Sequence, residues 1–241
     1  MMQHTSPAIY ILIPYIWQPN ISGVSDLVQN TLKEFKYRQI GFIECHIADV
    51  LDVAQNLVRN GCQIILSTGA TASFLQKKLD IEVHILNTGA FDVLHAITKL
   101  KSFKKIALLT STVHFNLNEY SDIFALDLQH FHYDSYLTAK SKVLDIKTQQ
   151  FDAVIGSPVA IELALSHGLS GQLLIGEHTL RQALNQSLKR LSKIQVQQKQ
   201  FNVLHETFHH LQQGICVINT HGIIQFTNKA MIHLLERKSE D

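Results

Sequence analysis

The chain has 241 residues, 46% of them hydrophobic, with 21 basic and 20 acidic side chains and a formal net charge of +1. That apolar content suits one large or two medium domains and excludes a disordered tail. The charge balance excludes a broad basic field for nucleic acid or an anionic membrane, so no direct nucleic-acid contact is expected from this region. Three cysteines, Cys45, Cys62 and Cys216, lie far apart without a C-x-x-C pair. They make no disulfide framework and no thiolate metal cluster, and a cytoplasmic location is expected. The apolar run at 9–16 is broken by Pro14 and has no basic flank, so neither a signal peptide nor a membrane span is expected.

In chain order, 8–13 reads as a first strand, followed by Val24, Leu27, Val28 and Leu32 at helical spacing. Residues 39–45 read as the next strand, and 49–60 as a helix with Val50, Val53, Ala54, Leu57 and Val58 apolar, stopped by Gly61. Ile64 to Leu66 then forms a strand covered on both faces. It breaks into Ser67-Thr68-Gly69-Ala70-Thr71 and opens a helix over 70–78. A strand at 82–86, the small-residue turn Asn87-Thr88-Gly89-Ala90 and a helix over 91–101 repeat the device. Past the basic stretch 101–105, a solvated helix end, the pattern restarts. A strand at 106–110, a helix over 116–125, an extended run at 126–133 and a helix over 135–149 follow. Two further strand ends are expected at Gly156-Ser157-Pro158, with Pro158 in the first turn of a helix to 166, and at 173–179.

Alternating strands and helices imply parallel sheets with ligands beyond the carboxyl ends of the strands. The expected fold class is α/β, two Rossmann-like lobes at 1–102 and 103–194 around a central cleft. Amides at such strand ends, with the helix dipole, seat an anion without side-chain chemistry. The candidate ligand-binding residues are therefore Ser67, Thr68, Gly69, Ala70 and Thr71; Thr88, Gly89 and Asp92; Gly156 and Ser157; and Glu177 and His178. Each turn residue also reads as a plain helix cap, and Asp92 either caps its helix or touches ligand. His178 is the basic-capable side chain beside a mouth, the candidate partner for a carboxylate. No cofactor is expected.

After Thr179 comes a long helical stretch, apolar at Leu180, Leu184, Leu188, Leu191 and Ile194, then at Phe201, Leu204, Phe208 and Leu211. The polar interval 195–200 interrupts that face. Two readings stand side by side: a helix packed on the body, or a linker at 195–212 that leaves it as a coiled-coil-like, dimer-forming connector. Residues 213–241 carry two strand-like runs around a four-residue turn and a short helix. That is too small for an independent domain, so we expect the start of one continued in a longer protein.

The ordered motifs resemble the N-terminal sensory domain of propionate catabolism activators, sigma-54-dependent bacterial transcription regulators. That family's S-R-G-G-T-A after a strand is similar to Ser67-Thr68-Gly69-Ala70-Thr71-Ala72, and its Y-D-I-L-x-A-L to Phe91-Asp92-Val93-Leu94-His95-Ala96-Ile97. Its V-I-G turn is similar to Val154-Ile155-Gly156, and its A-x-x-x-G-L-x-G to the stretch from Ala164 to Gly171. Residues 214–230 resemble the opening of a PAS domain. The resemblance implies a small organic-acid effector of the methylcitrate type in the cleft. It also implies an ATPase and a helix-turn-helix in downstream domains. The family's arginine is Thr68 here, and one glycine is Ala70, so a bidentate carboxylate partner is lost.

A competing motif is His205-Glu206-Thr207-Phe208-His209, which satisfies the zinc-peptidase pattern H-E-x-x-H. On a helix both histidines share a face, with Glu206 able to act on a zinc-bound water. No histidine occurs at the metzincin spacing, where positions 212 and 215 are Gln212 and Ile215, so a distant glutamate ligand would have to be Glu236 or Glu240. With 14 histidines in the chain a chance match is cheap, and the expectation is a sensor, not an enzyme.

Overall fold

The computed structural model describes residues 6–35, 40–111 and 117–237. Its first sheet is built on β1 (Ile9–Tyr15), whose residues from Ile11 to Ile13 are fully buried. Strands β2 (Ile40–His46) and β3 (Ile64–Ser67) flank β1, and β4 (Glu82–Ile85) lies outside β3, all parallel, in the order β2-β1-β3-β4. The second sheet repeats the arrangement: β5 (Lys105–Thr110), β6 (Asp127–His132), β7 (Ala153–Gly156) and β8 (Ser170–Leu173) run parallel in the order β6-β5-β7-β8. The β3 and β7 strands are buried along their whole lengths, as continuous apolar runs covered on both faces should be. This is the two-lobed α/β architecture expected. The expected element starts at Gln39 and Asn116 lie outside the described residues.

Helices α1 (Val24–Leu32), α2 (Val50–Arg59) and α3 (Gly69–Gln76) follow the first three strands. Helices α4 (Ala90–Lys99), α5 (Asn118–Phe124), α6 (Tyr136–Thr148) and α7 (Pro158–Ser166) come next, and α8 runs from Glu177 to His210. Helix α4 follows β4 in sequence but covers the other sheet. Val93, Ala96, Ile97 and Leu100 share one core with Ile106, Leu108, Ala153, Ile155 and Leu174. The start of α8 returns the exchange. His84 Nδ1 meets Ser187 Oγ at 2.7 Å, Arg190 Nε donates to Glu82 Oε1 at 2.6 Å, and Arg181 forks onto Glu34 at 2.8 and 3.0 Å. Each lobe is thus closed by a helix that enters from the other. Periodicity marks the apolar face of a helix and says nothing of which sheet it meets.

One strand is displaced from its expected place. Beta-strand β8 is Ser170–Leu173, upstream of the apolar run 173–175. At Gly171 a Cβ would meet Ile161 Cγ2 at 2.8 Å, so β8 presses its backbone onto α7. Leu174 and Ile175 are buried in the loop beyond.

Cys45 and Cys62 are buried, and desolvation pushes each thiol up to about 11, whereas Cys216 is exposed. At neutral pH a thiol reagent is expected to modify one cysteine of the folded protein promptly and the other two only after unfolding. Peptide mapping should place the fast site at Cys216.

Residues from Ser192 onward form a second compact unit. It holds the later part of α8, the antiparallel hairpin β9 (Cys216–Ile218) and β10 (Ile224–Thr227), and α9 (Lys229–Arg237). Its centre is Asn228, fully buried. The Asn228 Oδ1 accepts from the amides of Ile215 at 2.8 Å and Met231 at 3.0 Å, and Nδ2 donates to the carbonyls of Phe208 at 3.0 Å and Gln213 at 2.8 Å. No helix among the described residues is long and apolar enough to cross a membrane.

Candidate functional site: the cleft between the lobes

The carboxyl ends of strands from both sheets converge. Thr68 and Gly69 beyond β3, with Leu86 and Thr88 beyond β4, face Thr110 and Ser111 at the end of β5, Ser157 beyond β7, and Leu174 and Ile175 beyond β8. Together they enclose a cavity of about 30 Å³, room for a water molecule or two. An organic acid needs roughly ten times that volume. Thr68 is the buried, extended N-cap residue of α3, and its side chain caps nothing. Ser157 accepts from the Ala160 amide at 3.3 Å and meets the hydroxyl of buried Tyr133 at 2.7 Å. Burial raises that phenol above its ordinary range, so it stays a neutral hydrogen-bonding group.

The other candidates are placed differently. Ser67 turns inward and donates to the Leu12 carbonyl at 2.6 Å, locking β3 to β1. Ala70 packs against the second lobe's core, and Thr71 is half-buried on α3, away from the cavity lining. Gly156 serves packing, since a Cβ there would sit 2.8 Å from both the Leu109 carbonyl and Ala160 Cβ. Gly89 is exposed and donates to Asp92 Oδ2 at 2.8 Å. Asp92 is 4% exposed and also accepts from the Gly176 amide at 3.1 Å and from Thr179 Oγ at 2.5 Å. It therefore ties the start of α4 to the start of α8, the two crossings between lobes, rather than waiting for a ligand.

His178 is exposed on the surface against Phe91, ring centroids 6.0 Å apart, and does not line the cavity. Glu177 is also outside it. It borders a wider polar groove of about 420 Å³ with Ser22, Gly23, Asn30, His95 and Lys99, and Ile175 lines both spaces. The mouth expected at 173–179 opens there because β8 ends earlier than the apolar run suggested.

Sequence reasoning passed over Thr110 and Ser111, although they end a strand just as Thr68 does. It also passed over Glu162, an acid in a helix whose residues from Pro158 to Ala164 are all buried. That mismatch of type and burial was the available signal. Glu162 is 1% exposed, and its oxygens accept from the Ile16 amide at 3.1 and 3.0 Å and from the Trp17 amide at 3.0 Å. Burial pushes its carboxyl above the ordinary value, with the amide bonds of Trp17, Ile16 and Gln18 opposing and Glu44 adding to the rise. The contact joins α7 of the second lobe to the loop after β1 of the first.

The two histidines of the H-E-x-x-H helix make ring contacts with each other and with β10. The His205 and His209 rings lie 4.4 Å apart, and each is edge-on to Phe226, at 5.5 and 5.2 Å. No group of three or more metal-ligating side chains gathers among the described residues. The suggested third ligands, the Glu236 side chain and Glu240, lie outside the described residues.

Comparison with known proteins gives this geometry a family. The model of the N-terminal domain of the propionate catabolism activator matches residues 35–197, well over half of the chain. The chain belongs to the propionate catabolism activator family. A similar solved structure is an NtrC family transcriptional regulator from Clostridium acetobutylicum. It is 20% identical over 76% of this chain and 96% of that one, with a TM-score of 0.62, and so shares the fold. The transcription regulator CcpA of Lactococcus lactis is more distant, at 11% identity over 78% of this chain and 92% of that one, with a TM-score of 0.38. In this propionate catabolism activator domain the Thr68 and Ser157 strand ends, one from each lobe, both line the cleft cavity.

Proposed function

We propose that this chain is the effector-sensing region of a transcription activator, with a regulatory and not a catalytic role. The effector is a small organic acid of the 2-methylcitrate type, held between the lobes. The observation that carries this reading is the convergence of hydroxyl-bearing strand ends from both sheets on one cavity. Such a site offers main-chain amides and neutral hydroxyls, donors suited to carboxylates. Binding requires the lobes to part and close again around the acid. Ile175 borders both the inner cavity and the outer polar groove, so its displacement would merge the two into a space of ligand size.

A sensor acts only if its ligand binds the two forms with different affinity. The closing helix α8 continues past Leu191 into residues that resemble a PAS opening, and this is the covalent route for the signal to sigma-54-type downstream domains. Phe201 and Leu204, exposed, continue with Phe208 and Leu211 at heptad spacing, the pattern by which two copies would pair through this helix without nucleic acid or membrane contact from this region.

Calorimetry with citrate, 2-methylcitrate and propionate tests the reading, with fluorescence of Trp17, the single tryptophan, following closure. Saturable binding of a polycarboxylate is expected, weakened about tenfold by Thr68→Val and again by Ser157→Ala, the loss of one hydrogen bond to a charged group in each case. Absence of heat from all three acids, or affinities indifferent to both substitutions, would remove the support for a sensor.

A further inference from the structure

The seat that Glu162 fills is built like a ligand site. It lies in the loop just past the carboxyl end of β1, where open α/β sheets hold their ligands. Its donors are consecutive main-chain amides, and the carboxylate takes three hydrogen bonds of 3.0–3.1 Å from them. No lysine or arginine pairs with Glu162 among the described ion pairs, and its oxygens are met by main-chain amides. A second internal carboxylate crowds the same loop. Glu44 Oε1 accepts from the Asn20 amide at 3.1 Å, and its other oxygen takes the Ser25 hydroxyl. The occupant comes from α7 of the second lobe, so filling the seat also closes lobe on lobe.

We propose that the amides of Ile16 and Trp17, where the loop after β1 meets α7 of the second lobe, form a carboxylate subsite. Glu162 is its resident occupant in the closed protein, and one carboxylate of a small polycarboxylic acid takes the seat when it binds. The identity of that acid rests on the function proposed above; the subsite itself does not. Exchange replaces one carboxylate by another on the same donors, and because Glu162 is 1% exposed in a buried helix it requires α7 to move off the loop so that Glu162 is hydrated. A tethered side chain competes at an effective concentration of roughly millimolar or above. Monocarboxylates therefore bind the wild-type protein poorly, and an acid with further carboxylates that find donors outside the seat has the advantage. The chain thus selects for polyacids without an arginine in the seat.

Chemical rescue tests this on the full chain. In Glu162→Ala the seat is vacated, and sodium formate is expected to raise the melting temperature saturably over sodium chloride at equal ionic strength, by ~3–5 °C at ten times its dissociation constant. The wild type and Glu162→Gln, whose side chains still fill the seat, should show no such difference. A folded alanine variant that gains no more than the wild type overturns the proposal. If the variant is unfolded in chloride, recovery of its circular dichroism in formate supports the subsite, and failure to recover overturns it. Glu162→Gln supplies a second measurement. Its neutral amide points a donor at donors, holds the seat less firmly, and should let citrate bind about tenfold more tightly; unchanged or weaker binding overturns the exchange. Rescue by formate with no citrate binding to the wild type would sink the sensor reading and leave the subsite standing. Citrate binding without rescue would do the reverse.

Discussion

Asp92→Ala is expected to destabilise the two-lobed body by about 4 kcal/mol, because it removes the acceptor that two donors at the start of α8 share. The buried hydroxyl of Thr179 and the half-buried amide of Gly176 both lose a charged acceptor, at roughly 1.5–3 kcal/mol each. The Gly89 amide is exposed and can turn to water, so it adds little. Urea unfolding followed by circular dichroism gives the number, and the melting temperature should fall by ~10 °C for a body of this size. Asp92→Asn keeps one acceptor oxygen and should lose about half as much. Thr179→Val combined with Asp92→Ala should cost less than the sum of the two, since both break the same contact. A loss below about 1 kcal/mol for Asp92→Ala would mean that the carboxylate does not hold the crossings together.

That expectation also shows where the sequence stopped being readable. The run Phe91-Asp92-Val93-Leu94 places an acid in the first turn of a helix, which marks a cap equally well in any βα unit. Its partners Gly176 and Thr179 are more than eighty residues away in sequence and follow only from the exchange of closing helices. Strand identity was legible because fully buried parallel strands such as Ile64–Ser67 and Ala153–Gly156 are unbroken apolar runs ended by small residues. The turn after β3 was legible for the same reason. The direction of each side chain in it was not. Ser67 and Thr68 are adjacent, and the strand alternation sends one to the Leu12 carbonyl and the other to the cleft. The Glu177-His178 pair was misplaced because the apolar run Leu173-Leu174-Ile175 looks more strand-like than Ser170-Gly171-Gln172, where Gly171 approaches Ile161 closely.

Gly156→Ala is expected to be the next most damaging change, at about 3 kcal/mol, although it adds a single methyl group. The glycine is the last residue of β7 and pairs with Leu109 of β5. A Cβ there would lie 2.8 Å from the Leu109 carbonyl oxygen and 2.8 Å from Ala160 Cβ, one contact to backbone and the other to the first turns of α7. Neither neighbour is the end of a flexible side chain, so either β7 shifts away from β5 or α7 lifts from the sheet. Both shifts move Ser157, the next residue, and with it the second lobe's hydroxyl in the cleft. The substitution should therefore lower stability in urea unfolding and weaken citrate binding together. Gly89→Ala is the matched control: its backbone is extended, with φ −120° and ψ −177°, and a Cβ would meet nothing within 4 Å. It should change stability by less than about 0.5 kcal/mol. Equal effects from the two glycines would show that close approach at the end of β7 is not what positions Ser157.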